Sequence, residues 1–198
     1  MDYINNGHGN KHLRFGYNHH KKQLRISKNA IMWALEILLV VAVAFVIVKF
    51  FGGRARCADD AMKPEASSGN VVLVNNLAYD ISAPSRGDVA LFYLSQKSLS
   101  HPYVRRVAGL PGETIQIING QFYVNGSVVT KGIHASDLSD AGIASQPITL
   151  GTNEYFVLSD NSAEEDSRSS EIGNIGTDEI KGQVWFQTSP GASFGFIH

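Results

Sequence analysis

Lys63, Ser67 and Ser68 lie close together in "KPEASSGN", and a hydroxyl beside an amine is the raw material of serine–lysine catalysis. In that chemistry a neutral amine takes the proton of an attacking serine. Here the spacing works against it: Ser67 sits in the turn approaching Gly69 and should project elsewhere, so turn polarity accounts for all three residues. The remaining reactive types are charged. A guanidinium cannot act as a general base at accessible pH. Cys57 is the only cysteine, so no disulfide forms within the chain, and its expected state is an inert thiol near a membrane surface. Palmitoylation or a bridge to another chain is the alternative. His8, His12, His19 and His20 have no acidic or cysteine partners nearby, and no metal or cofactor is expected.

The elements that must hold these residues begin with an apolar run. Ile31 to Phe51, "IMWALEILLVVAVAFVIVKFF", has about the length a helix needs to cross a bilayer. Glu36 interrupts it near one end, within reach of headgroups. Lys11, Arg14, Lys21, Lys22, Arg25 and Lys28 precede the run, against Lys49, Arg54 and Arg56 at its far end. The positive-inside rule therefore predicts a single-pass protein of the cell membrane, N-terminus cytoplasmic and the remainder outside. A cleaved signal peptide is the alternative reading, because Ile37–Val48 has h-region length, but "ARCA" at Ala55–Ala58 is a poor cleavage site. The charge follows the same division. Residues 1–56 carry nine Lys/Arg against two Asp/Glu (+7), and residues 57–198 carry eight against sixteen (−8), giving the −1 of the whole chain. An acidic domain has no basic stripe for phosphates, so nucleic acid is not an expected partner.

The predicted organisation is a basic disordered cytoplasmic arm (1–29), a transmembrane anchor (30–51), a juxtamembrane linker (52–58) and an extracytoplasmic domain (59–198). Within that domain, short β-rich runs alternate with Gly, Pro, Asn and Ser. Residues 70–76, 88–94, 103–110, 114–120, 121–129, 154–158 and 180–187 read as strands. Asn125-Gly126 marks a two-residue hairpin. Residues 131–150 read as an irregular excursion at a sheet end. No long helical periodicity or internal repeat is present beyond the anchor, so the expected class is mainly β: an antiparallel β-rich domain behind one N-terminal transmembrane helix.

Four segments in order resemble the bacterial type I signal peptidases, the S26 membrane serine peptidases that cleave export signals. Their first box reads Ser-Met-x-Pro-Thr and leads to a Val-Leu-Val strand; here Met62, Pro64, Gly69 and "VVLVNNLAY" hold those places. "RGDVALF" (86–92) and "RRVAGLPGETIQI" from Arg105 resemble the next two. "SDNSAEEDSRSSEIG" (159–173) resembles a Gly-Asp-Asn-Arg segment leading to Asp-Ser-Arg, with one residue fewer between its halves.

The resemblance also implies what is missing. Ala61 stands at the nucleophile position and Arg105 at that of the general-base lysine, so neither half of the dyad is intact. Asp59 replaces a residue that in some relatives donates a hydroxyl to the oxyanion, and its charge would oppose that role. Glu164 occupies the place of a serine that orients the lysine; Arg105 and Glu164 would satisfy each other's charges if brought together. Asp166, Ser167 and Arg168 match the supporting Asp-Ser-Arg, whose Asp and Arg are expected to form a buried ion pair, and Arg106 lies in the same degenerate region. The function implied is a catalytically inactive accessory or chaperone for exported or pilin-like proteins, held as extended peptides. Two alternatives stand beside it: an active signal peptidase using a non-standard residue, and a structural membrane-tethered domain that binds no peptide.

Overall fold

A computed structural model describes residues 27–95, 101–188 and 194–197. Most of the basic arm, with its four histidines, lies outside the described residues. Helix α1 (Lys28–Phe51) starts slightly earlier than the apolar run suggested. Ser27 is the reason: its Oγ accepts the Ala30 N–H at 3.1 Å and satisfies a donor that the first turn leaves open. Lys28–Phe50 is long and apolar enough to cross a membrane.

The remainder is built from twelve short strands: β1 (Gly53–Arg56), β2 (Val71–Asn75), β3 (Val89–Phe92), β4 (Tyr103–Gly109), β5 (Thr114–Ile118), β6 (Gln121–Val124), β7 (Ser127–Val128), β8 (Ile148–Thr149), β9 (Glu154–Leu158), β10 (Ile175–Gly176), β11 (Ile180–Gln187) and β12 (Gly195–Phe196). One sheet runs β1-β2-β11-β3-β4-β9-β10, with β12 added to β11; the other runs β7-β6-β5-β8. Every pairing is antiparallel. Each of the seven expected runs contains a strand. Asn125 and Gly126 both take positive φ (50° and 79°), as a two-residue hairpin turn between β6 and β7 requires.

The linker expected at 52–58 is corrected. Gly53–Arg56 pairs with Val71–Val74 as an edge strand of the larger sheet. "GRAR" carries no apolar alternation of its own; the partner strand "VVLVN" supplies the side chains that face the core, and the edge strand shows its arginines to water.

β4 and β9 explain how the site is held. All seven residues of β4 are buried, and four of the five in β9. Successive side chains of a strand point to opposite faces. In β9, Phe156 and Leu158 accordingly join a core with Ile115, Ile117 and Phe122 of the smaller sheet, while Tyr155 and Val157 join a second with Phe92, Val107 and Ile175. A third core packs Met62 and Ala66 against Val72, Val89 and Val104. With both faces covered, any charged side chain on β4 must find its partners inside the protein.

Candidate active site

Arg105 and Arg106 are the two such side chains, each only 1% exposed. Being adjacent on β4, they point to opposite faces. Arg105 Nη1 and Nη2 meet both oxygens of Asp59, at 3.1 and 2.7 Å. Its Nε donates to the Glu165 carbonyl at 2.6 Å, and Nη1 donates again to the Val104 carbonyl at 2.8 Å. The guanidinium carbon lies 5.5 Å from the centroid of the Tyr103 ring, within the range of a cation–π contact. Around it opens a cleft of about 340 Å³ lined by Ala58, Asp59, His101, Tyr103, Arg105, Glu164 and Glu165.

Asp59, not Glu164, is thus the carboxylate paired with Arg105. Glu164 lines the same cleft without forming an ion pair with the guanidinium among the described residues. The chain bends at Asn161–Glu164, where the Glu164 N–H donates to the Asn161 carbonyl, and the backbone beyond the bend delivers a carbonyl to Arg105 instead of a side chain.

Ala61 is fully buried, and its carbonyl accepts the Asn161 N–H at 2.8 Å, tying the first box to the last. Met62 is core, and Pro64 is exposed behind a cis Lys63–Pro64 bond. Ser67 and Ser68 belong to the local turn: the Ser67 N–H donates to Asn70 Oδ1, and Ser68 Oγ donates to the Ala58 carbonyl. Lys63 Nζ reaches Asp60 at 2.7 Å on the surface. A methyl group and a permanently protonated guanidinium provide neither nucleophile nor base. Cys57 lies nearby, 4% exposed, and burial pushes its thiol up to about 11. The neighbouring Asp59 carboxylate adds to that rise and Arg105 opposes it. A buried, protonated thiol is a poor nucleophile.

On the other face, Arg106 forks onto Asp160, with Nε–Oδ1 at 2.8 Å and Nη2–Oδ2 at 2.5 Å. It also reaches the Gly87 carbonyl at 2.9 Å and Glu65 at 3.3 Å. Asp166 and Arg168 form the expected buried ion pair at 2.9 Å. Asp166 also accepts the N–H groups of Ser159 and Arg168, while Arg168 spans the carbonyls of Asp140 and Ser162. Ser167 Oγ accepts the Val157 N–H, binding this loop to β9. Of the residues singled out from the sequence, Asp59, Arg105 and Glu164 thus meet around the cleft, Arg106 points to the opposite face of β4, and Asp166–Arg168 form a separate ion pair. The sequence reading left out the partners Asp160, Glu65 and the Glu165 carbonyl. The available signal was Arg106 itself: a charge within an apolar strand requires a carboxylate elsewhere in the chain.

The order and spacing of these boxes match a known family. Residues 30–188 fit the profile of "Signal peptidase, peptidase S26". The chain belongs to the S26 signal peptidase family. Signal peptidase IB of Staphylococcus aureus (strain MRSA252) is 28% identical over 189 residues, covering 86% of this chain and 95% of the relative. Signal peptidase I P of Bacillus subtilis subsp. natto is 30% identical over 148 residues, covering 71% of this chain and 78% of its own. A crystal structure of a signal peptidase I from Enterococcus faecalis V583 is similar at 25% identity with a TM-score of 0.40, over 52% of this chain and 97% of that one. The described residues place antiparallel β-sheets after one N-terminal apolar helix, and the helix suits a membrane anchor.

Proposed function

We propose that this S26 protein is a membrane-anchored, catalytically inactive relative of the signal peptidases that holds exported or pilin-like proteins as extended segments. The observation that carries the reading is Arg105. At the position where the family resemblance calls for a neutral lysine, a guanidinium makes four hydrogen bonds, to Asp59 and two carbonyls, and Ala61 offers no hydroxyl. Exported preproteins are the substrates the family implies, and binding is separable from catalysis because strand pairing and side-chain pockets hold a peptide without the dyad. A strand segment supports this: β9 pairs with β4 only from Arg106 onward, so Tyr103–Arg105 is paired on the β3 side alone among the described residues. In the proposed orientation the arm is cytoplasmic and the β domain outside, so protease added to wall-stripped cells should digest the domain and spare the arm. Digestion of the arm would reverse it.

The full chain in detergent should not cleave an Ala-x-Ala preprotein, and Ala61→Ser with Arg105→Lys should restore little, because Asp59 and Glu164 remain. Turnover that disappears with Ser67→Ala or Ser68→Ala would show the protein to be an active peptidase with a non-standard residue. A structural role without peptide binding is favoured by one contact, the Arg105 guanidinium on the Val104 carbonyl, which occupies a strand acceptor beside the cleft. A photocrosslinker at the exposed Glu165 decides between them. Capture of preprotein or pilin-like segments supports the chaperone reading, and no capture leaves the structural one.

A further inference from the structure

Beneath β4, three residues from separate parts of the chain converge on the Arg106 side. Donor atoms of Glu65, His134 and Asp160 all lie within 4.8 Å of one another. Their convergence is built by contacts on both sides of His134. Before it, Gly132 packs backbone to backbone on Gly87, where a Cβ on Gly132 would lie 3.0 Å from the Gly87 Cα; both glycines have positive φ. Gly87 in turn gives its carbonyl to Arg106. After it, the Ser136 N–H donates to the Asp160 carbonyl at 2.8 Å, and the Asp137 N–H donates to Ser162 Oγ. The excursion is thus fixed at both ends of a short arch with His134 at its middle. The imidazole itself makes no hydrogen bond or ion pair among the described residues.

We propose that Glu65, His134 and Asp160 form a binding site for a divalent transition-metal cation of the Zn²⁺ class. One imidazole and two carboxylates are a donor set such ions take, with a fourth position left for water. Metal–ligand bonds of about 2.0–2.2 Å in a tetrahedron bring donor atoms to about 3.3–3.6 Å from one another. The closure needed is small, and the exposed His134 and half-buried Glu65 side chains can make it. Arg106 does not block the site. An ionised carboxylate has about four acceptor positions, so Asp160 can face a cation while its fork with Arg106 persists as the outer partner that orients it. The Arg106 Nη2–Glu65 contact, at 3.3 Å, is longer than the fork onto Asp160 and would give way to a cation. Two carboxylates against one guanidinium leave a net charge of −1 to attract it. Bound metal would pin the 131–150 excursion to the first and last boxes.

The test uses the full chain in detergent with His8, His12, His19 and His20 all replaced by alanine, so that the arm does not compete. Zn²⁺ is titrated by calorimetry and Co²⁺ by its visible spectrum, with Mg²⁺ as the comparison ion. One-to-one Zn²⁺ binding with intense tetrahedral Co²⁺ bands is expected. His134→Ala and Glu65→Gln should each weaken Zn²⁺ by roughly tenfold or more and abolish the bands. Because His134 is exposed, its removal leaves the fold intact. No Zn²⁺ binding at micromolar concentration, or affinity unchanged by His134→Ala, overturns the proposal.

Discussion

Arg105 and Arg106 are adjacent, equally buried and both ion-paired, yet their surroundings differ in kind. Arg106 faces Asp160, a carboxylate 5% exposed, through a two-pronged fork within the protein. Arg105 faces Asp59, 23% exposed, at the wall of an open cleft, and donates its other bonds to backbone carbonyls. A buried charge is tolerated only with partners, and the cost of losing one rises with the depth of the pair. Arg106, like Asp166–Arg168, therefore supports the framework. Arg105 fills a cleft whose partner can still exchange with water.

This contrast has measurable consequences. Asp160→Ala would leave the Arg106 charge buried without its fork, and Asp166→Ala would do the same to Arg168. Each should cost about 3–5 kcal/mol in urea unfolding of the full chain in detergent. Asp59→Ala removes a partly hydrated partner at the wall of an open cleft, where water can reach the Arg105 charge in its place. The expected loss is smaller, about 1–3 kcal/mol. Equal losses at Asp59 and Asp160 would break the distinction and make the cleft part of the framework.

What could be read from the chain follows the same divide. The runs at 70–76, 103–110 and 154–158 announced strands because their own residues fill the three cores. Gly53–Arg56 did not, because its strand character comes from pairing with Val71–Val74. The Asp166–Arg168 pair was legible because both partners sit in one short motif, whereas the Asp59–Arg105 and Asp160–Arg106 pairs span 46 and 54 residues. Glu164 was the carboxylate expected for Arg105, but the bend at Asn161–Glu164 turns a backbone carbonyl inward instead. Spacing along the chain likewise hid Glu65, His134 and Asp160, which meet only after β4 and the excursion are in place.

The smallest expected effect reports on the cleft from inside. Burial first, and Asp59 second, hold the Cys57 thiol protonated up to about 11, against an ordinary 9.0. Between those pH values the unfolded chain has lost this proton and the folded chain keeps it. The folded state then binds more protons, so this contribution to stability is complete below pH 9 and fades as pH rises toward 11. Thiolate absorbance, taken as the difference from a Cys57→Ser variant, should show the raised midpoint directly. Asp59→Asn removes the negative neighbour while Arg105 continues to favour the thiolate, so the midpoint should fall. Asp160→Asn alters the other face of β4 and should leave it unmoved. A midpoint near 9 in the unmodified protein would contradict the buried position of Cys57. Equal shifts from the two substitutions would mean that the faces of β4 are electrostatically coupled, and that Arg105 and Arg106 belong to one site.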